Sequence, residues 1–512
     1  MKYLNPMKKI LINQEPWETR VAILRNNRLQ NIYLEANTAK YLERSFFKGV
    51  VTKVLPGIQT AFVDIGQEKA GFLHISEMDF TLALSKMEEN LEIDEDTAPT
   101  KEPPLKKKLQ SALDMGKILH EGETILVQVS KEPVYEKGAK LTRCFTLPGR
   151  FVVLMPNIPR IGISKKIENV TERQNLKAEV RALLPAGMGA IIRTSAGGHS
   201  VQEIKKDVNF LLNIWTEIQT NYQKAENTQL IYQDLPLSLR AVRDNLDDQI
   251  EVVITDSKEN QREVLKFVKE IAPEFSYKVK YYSGPPALFE FYSVETQITD
   301  ALKKKVQLKS GGSIIIETAE AMSVVDVNTG KFIGKGNQED TILKTNMEAA
   351  EEIARQLRLR NIGGLIVIDF IDMQSHGNRQ KLLEHFEKSL KEYDRFQSVV
   401  LKISEFGLVQ MTRKRSGQTL MRQLTRECSE CHGSGQVKSD STICYEILRK
   451  ITDDLRQLKG VVHLQLSPII FKYLTNIEYN AVLEIEKSYA MKLIMQSVPE
   501  LQIDQYRIST VG

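Results

Sequence analysis

The chain has 512 residues, too many for one hydrophobic core, so three or more modules are expected. Hydrophobic residues make up 42% and charged residues 27%, an ordinary globular balance, and no apolar run reaches the roughly 18 to 20 residues of a membrane span. A net charge of +4 imposes no general affinity for nucleic acid, so any such surface must be built locally.

The polar N-terminus, MKYLNPMKKILINQEPWETR, is unlike a signal peptide, and a cytoplasmic protein is expected. Residues 7 to 35 alternate as two or three strands (KKILIN, TRVAILRN, LQNIYLE). From Phe47, KGVVTKVLPGIQTAFVDIG reads as strand, Pro-Gly turn and strand, and EKAGFLHISEM as a third strand, the spacing of a small barrel. The stretch from about 80 to 117 is charged and proline-bearing, and is expected to be an inserted loop. GETILVQVSKEP resumes as a strand that closes the barrel.

Residues 147 to 203 form another unit, with strands GRFVVLMPNIP and GAIIRTSAGG around the helix ERQNLKAEVRALLP. VQEIKKDVNFLLNIWTEIQTNYQKAE is a long helix, and strands and helices alternate to about 300. From 313 to 411, SIIIETAEAMSVVDVNTG gives two strands and EDTILKTNMEAAEEIARQLRLR a helix stopped at Gly363-Gly364. GGLIVIDFIDM reads as a strand buried on both faces, with Asp369 and Asp372 at its end. SVVLKIS and FGLVQMTRK are further strands.

Four groups of residues carry chemistry. Asp326 and Asp369 each follow a hydrophobic strand, and strand-helix-strand order can bring the two strand ends together. Two carboxylates there suit Mg²⁺, which polarises a phosphodiester and acidifies an attacking water. Asn328, at period two from Asp326, is placed to hold the phosphate or a water. The plainer alternative is that the aspartates cap strands or pair with arginines. Cys428 and Cys431, followed by His432-Gly-Ser-Gly, resemble a zinc knuckle. Two cysteines leave a tetrahedral site incomplete, so either His432 adds a ligand, two chains each give a pair, or the pair is redox-active or accidental. Phe62 and Phe72 on neighbouring strands, with Lys53, Lys69 and Lys131 near in sequence, suit base stacking and phosphate contact, unless the rings fill the core. Arg193-Thr194, before glycines, can grip a phosphate, although such a pair in a turn is common.

Together these groups, in this order, resemble the ribonuclease E/G family over nearly the whole chain. The resemblance is carried by KGVVTKVLPGIQTAFVDIG, GRFVVLMPNIPRIGISKKI, GAIIRTSAG, AMSVVDVNTGKFIG, NMEAAEEIARQLRLRNIGGLIVIDFIDM and CSECHGSG. It implies an endoribonuclease that cuts single-stranded RNA, stimulated by a 5′-monophosphate and leaving 5′-phosphate and 3′-hydroxyl ends. It implies roles in rRNA 5′-end processing and mRNA decay. Asp326 and Asp369 then hold catalytic Mg²⁺ beside catalytic Asn328. Cys428 and Cys431 hold a Zn²⁺ shared between subunits of a homodimer or homotetramer. Phe62, Phe72 and Lys131 face RNA, and Val153, Arg193 and Thr194 form a 5′-phosphate sensor.

The implied fold is α+β and multidomain. An S1-type OB-fold barrel (47–142, with the long loop 80–117) is inserted in an RNase-H-like domain (1–46 and 239–302). A 5′-sensor region (143–238), a deoxyribonuclease-I-like catalytic domain (303–424), a zinc link (425–438) and a small C-terminal α/β domain (439–512) complete it. The chain stops where longer family members continue into a scaffold, so the short form is expected. Two departures from the family pattern are the longer, charged loop and the lysines of SKKIE where arginines are common. The competing function is a non-catalytic, zinc-linked RNA-binding or assembly protein, which needs no acidic pair.

Overall fold

The structure is a computed structural model. It describes residues 7–37, 41–78, 91–93, 115–133, 138–329, 338–394, 396–404, 407–414, 417–429, 431–455, 460–503 and 505–510. Two compact units divide the chain, Met1–Met421 and Arg422–Gly512.

In the larger unit the apolar run KILI becomes a strand buried on both sides. Lys8–Gln14 lies parallel to Ile250–Thr255 and antiparallel to Glu18–Arg25, within a five-stranded sheet completed by Val279–Tyr281 and Arg28–Ala36. Ile10 and Ile12 pack toward Val264 and Phe267 of the helix Lys258–Ile271, while Leu11 joins Leu288 and Phe289 on the other face. This sheet joins strands within 8–36 to strands within 250–281, so the barrel and the sheet that follows it are inserted between them.

The first insertion is a closed barrel. Strands Phe46–Leu55, Thr60–Asp64, Gly71–His74, Lys140–Thr142 and Thr124–Lys131 pair in that order, and Thr124–Lys131 returns to pair with Phe46–Leu55. Val51, Ala61, Val63, Leu73, Val127, Val129 and Leu141 fill it. Closure removes the free edges that would otherwise invite aggregation. The strand Gln229–Tyr232, from a later segment, adds alongside Phe46–Leu55. The expected loop 80–117 lies mostly outside the described residues. Within it, Met115–Ile118 begins a short helix and Leu91–Ile93 is a strand. That strand pairs with Ile161–Ser164 in the next sheet and not with the barrel.

The next sheet orders Leu147–Pro148, Val152–Met155, Gly189–Ile192, Ile161–Ser164 and Leu91–Ile93. The helix Val201–Lys224 covers it through Ile204, Val208, Leu211 and Trp215, and starts at a capping box between Ser200 and Glu203.

The last sheet of this unit runs Lys305–Gln307, Ser313–Thr318, Met322–Asn328, Gly364–Asp369, Leu408–Arg413 and Ser398–Val400. Helices Gln338–Leu359 and His376–Tyr393 cover one face, where Val325, Val327, Ile366 and Ile368 meet Ala350, Ile353, Leu382 and Phe386. The GGLIVIDFIDM expectation needs correction here. The strand ends at Asp369, and Leu365 on its second face is 53% exposed. The apolar run therefore encodes a strong strand former with one covered face, because among the described residues no second helical layer closes the sheet.

The smaller unit holds a three-stranded sheet, ordered Lys492–Ser497, Val461–Leu466 and Tyr506–Thr510. Helices Asp440–Leu455, Pro468–Asn476 and Tyr479–Tyr489 accompany it, with Ile451, Val462, Leu464, Ile470 and Val482 in its core.

One buried ion pair ties helix to sheet at the end of the strand Gly364–Asp369 away from Asp369. Arg413 Nε and Nη2 donate to the Asp394 carboxylate at 2.5 and 3.1 Å, and Nη1 donates to the Ile362 carbonyl at 2.6 Å. Both side chains are almost wholly buried. Removing one partner strands a charge without water. Asp394→Ala should therefore destabilise the unit by about 3–5 kcal/mol, and Asp394→Leu combined with Arg413→Met by much less. Urea unfolding of both variants checks this, and a loss of about 1 kcal/mol or less for Asp394→Ala, typical of an exposed pair, would contradict it.

Candidate active site and nucleic-acid interface

The acidic pair is set by strand register. Met322–Asn328 and Gly364–Asp369 run parallel, with Asp326 directly beside Asp369. The helix Gln338–Leu359 connects them and covers the face that carries Val325, Val327, Ile366 and Ile368. Side chains alternate along a strand, so Asp326 and Asp369 both stand on the open face, about 5 Å apart in backbone spacing. Asn328 lies on that face too, and its Nδ2 donates to Asp326 Oδ2 at 2.6 Å. Partial burial raises the Asp369 carboxyl above the usual range, and the like charges of Asp326 and Asp372 raise it further.

Among the described residues neither Asp326 nor Asp369 forms an ion pair with an arginine or lysine. A divalent cation would offset their mutual repulsion, and the oxygen donors are of the hard type that Mg²⁺ takes. Among the described residues no three His, Cys, Asp or Glu side chains cluster as a metal group, so the protein would offer two carboxylates and leave the remaining positions to water or phosphate.

On the barrel, Phe62 and Phe72 face one another across neighbouring strands. Their sequence neighbours Ala61, Val63 and Leu73 fill the core, so the two rings lie outward and half-buried. Lys131 is exposed at the end of its strand, and Lys69 is exposed in the turn before Gly71–His74.

Arg193 and Thr194 follow the strand Gly189–Ile192 and line a cleft of about 630 Å³ with Ser164, Lys166, Phe151 and His199. Thr194 and Ser164 hydroxyls meet at 2.8 Å. Arg193 Nη1 donates to the Gly149 carbonyl at 2.5 Å and to Asp244 Oδ1 at 2.8 Å. Burial works against ionised Asp244, but Arg243 and Arg193 beside it pull its carboxyl down to about 2. Asp207 accepts backbone N–H bonds from Arg150, Phe151 and Val152 at 2.9, 2.8 and 3.0 Å. A Cβ at position 149 would sit 2.5 Å from Asp207 Oδ2, so the turn needs glycine there. Val153 pairs with Ile191 and Pro148 and is not one of the residues lining the cleft. The amide of Arg193 instead donates to Phe151, two residues earlier in the chain than Val153.

Sequence reasoning missed Asp207 and Asp244. A signal for the first was present, since Asp207 falls on the apolar stripe of Ile204, Val208 and Leu211, where a carboxylate must find buried donors. For the second, the only hint was its place beside Arg240 and Arg243 in LRAVRDN.

In the smaller unit Cys428 is exposed and Cys431 partly so, while Cys444 is buried in the core. The His432 amide donates to the Cys428 carbonyl and the Ser434 amide to the Cys431 carbonyl, each at 2.9 Å. His432, Gly433 and Gly435 adopt positive φ of 45, 84 and 73°, so the chain turns tightly after Cys431. Among the described residues His432 does not complete a three-ligand group with them.

Residues 146–416 match the profile of the "Ribonuclease E/G family", and residues 427–511 that of the "RNase E/G, Thioredoxin-like domain". The chain is 37% identical over 507 residues to ribonuclease G of Escherichia coli (strain K12), covering 98% of this chain and 99% of that protein. It is 40% identical over 482 residues to ribonuclease G of Haemophilus influenzae, covering 93% and 94%. Ribonuclease E of Haemophilus influenzae is 35% identical over 493 residues, which is 96% of this chain and 50% of that protein.

Proposed function

The chain belongs to the ribonuclease E/G family, and from that premise we propose that it is an endoribonuclease acting on single-stranded RNA. The observation that carries this reading is the in-register Asp326 and Asp369 pair on an open sheet face, braced by Asn328. In the proposed reaction water attacks the scissile phosphorus in line, the bond from phosphorus to the 3′-oxygen breaks, and a proton reaches that oxygen. The products are a 5′-phosphate and a 3′-hydroxyl. Asp326 and Asp369 are the residues that would hold Mg²⁺, which when bound supplies positive charge at the phosphate. Asn328 holds the Asp326 carboxylate through its amide, and in this reading it would also contact the phosphate.

We read the finer domain identities in the same terms. The barrel is an S1-type RNA-binding module, and the first sheet is an RNase-H-like frame. The sheet with the acidic pair is deoxyribonuclease-I-like, and the cleft around Arg193 is a 5′-monophosphate sensor. Phe62 and Phe72 stack bases, and Lys131 neutralises phosphate. Zn²⁺ held by Cys428 and Cys431 from each of two chains links a homodimer, or pairs of chains in a tetramer. A cytoplasmic enzyme of rRNA 5′-end maturation and mRNA decay fits these parts. No helix among the described residues is long and apolar enough to cross a membrane.

Asp369→Asn should fold and bind RNA yet lose cleavage in Mg²⁺. Asp326→Asn should match it, and the double variant should be little worse, because the two act as one unit. Turnover at the unmodified rate by either single variant would overturn the assignment.

RNA with a 5′-monophosphate should be cut faster than the same RNA with a 5′-hydroxyl. Arg193→Ala should erase that difference and spare substrates entered internally. Comparing the two rates on 5′-labelled oligonucleotides decides it, and a surviving preference would put the sensor elsewhere.

Zinc should be present at about one ion per two chains, since tetrahedral zinc takes four ligands and each chain offers two. Cys428→Ser should release the metal and weaken the dimer. Elemental analysis with light scattering reads both, and one zinc per chain in a stable monomer would refute the shared site.

A further inference from the structure

Two irregularities of the barrel point to an RNA contact outside the aromatic pair. Between Thr60–Asp64 and Phe46–Leu55 the register slips between Val51 and Lys53, leaving Thr52 unpaired and setting Lys53 opposite Phe62. Between Thr124–Lys131 and Lys140–Thr142 it slips between Val129 and Lys131, leaving Ser130 unpaired and setting Lys131 opposite Lys140. Without a bulge the alternation from buried Val51 would put residue 52 outward and residue 53 inward, and from buried Val129 it would put Lys131 inward. A bulge inserts one residue and re-aims the next side chain. Both bulges therefore turn a lysine from the core side to the outer side of the barrel.

The consequence is a continuous row across the outer surface. Lys53 pairs with Phe62, Phe62 with Phe72, Phe72 with Lys140, and Lys140 with Lys131. Directly opposed residues on neighbouring strands share a face, about 5 Å from one to the next. Two aromatic faces are thus bracketed by cations. Lys140 is engaged, with Nζ 2.5 Å from Glu77 Oε1. Lys53 and Lys131 are exposed, and among the described residues no acidic group or hydrogen bond engages either ammonium.

We propose that Lys53 is a second RNA-phosphate contact of the barrel, set by the Thr52 bulge at the opposite end of the aromatic pair from Lys131, so that the RNA strand runs across the strands along this row. This rests on the reading of Phe62 and Phe72 as base-stacking residues. Stacking tolerates every base, so the row binds without sequence preference and its strength falls with salt.

The test measures binding of an oligouridylate of about ten nucleotides, with a 5′-hydroxyl to leave the Arg193 cleft unengaged, across a salt series. The full chain carries Asp369→Asn so that the RNA survives. Lys53→Gln should weaken binding several-fold and lower the slope of log affinity against log salt by about 0.7, the loss of one phosphate contact on a single strand. Lys53→Arg should keep the slope, and Lys117→Gln, exposed on the barrel's short helix and off the row, should leave binding unchanged. A normal slope for Lys53→Gln, while Phe62→Ala and Lys131→Gln bind weakly, would overturn the role of Lys53 and keep the stacking surface. Normal binding by all three would overturn the stacking surface itself.

Discussion

The structure depends on one pairing, the parallel register that sets Asp326 beside Asp369. Parallel neighbours cannot be joined by a tight turn, so the chain must leave the sheet and return through a crossover. The helix Gln338–Leu359 is that crossover, and it must lie on one face. Its apolar side buries Ala349, Ala350, Ile353 and Leu357 against the valines and isoleucines of the two strands. That burial fixes which residues point inward. Because strand side chains alternate, it equally fixes that the two carboxylates point away from the helix. A slip of one residue would drive Asp369 into the apolar layer, at the cost of burying a charge. The hydrophobic core thus enforces the approach of two like charges that repel one another, which is the condition a divalent cation relieves.

The same principle, reversed in sign, builds the cleft around Arg193. A guanidinium in a cleft is aimed only when partners hold it, and a lone arginine on a loop is not. Here Asp244 and the Gly149 carbonyl both hold one nitrogen of the fork, and Asp207 pins the backbone that presents that carbonyl. Arg243 shares Asp244, so two guanidinium groups meet at one carboxylate. The carboxylates give the guanidinium its orientation, and Asp207 acts through the backbone and not through the fork itself.

How much of this was legible in the sequence follows from the range of each interaction. Apolar runs ending in aspartate, SVVDVN and LIVID, could be read directly as strands with carboxylates at their ends, and helix formers around NMEAAEEIARQLRL marked the crossover. The residue types at CSECHGSG carried their chemistry on the surface. What stayed hidden was non-local. Gln229–Tyr232 joins the barrel from a distant segment, and Leu91–Ile93, inside a charged stretch that reads as loop, completes a different sheet. Neither partner is encoded near the strand that needs it. The open second face of the sheet that carries Asp326 and Asp369 was misread for a related reason: a run of isoleucine, leucine and valine reports strand propensity and burial together, and only the layer count separates them.

Charge shows the same division between composition and arrangement. A net charge of +4 gives the chain no overall field worth the name. What matters is which cations the fold has already neutralised. Lys140, Arg413 and Arg355 are held by Glu77, Asp394 and Glu352, so they act as struts. Lys53 and Lys131 sit at the two bulges with no such partner among the described residues, on the outside of a closed sheet whose core cannot accept them. Counterions condensed on RNA are released only by protein charges that are not already paired. In this barrel it is backbone irregularity, at Thr52 and Ser130, and not basic composition, that decides where such charges stand.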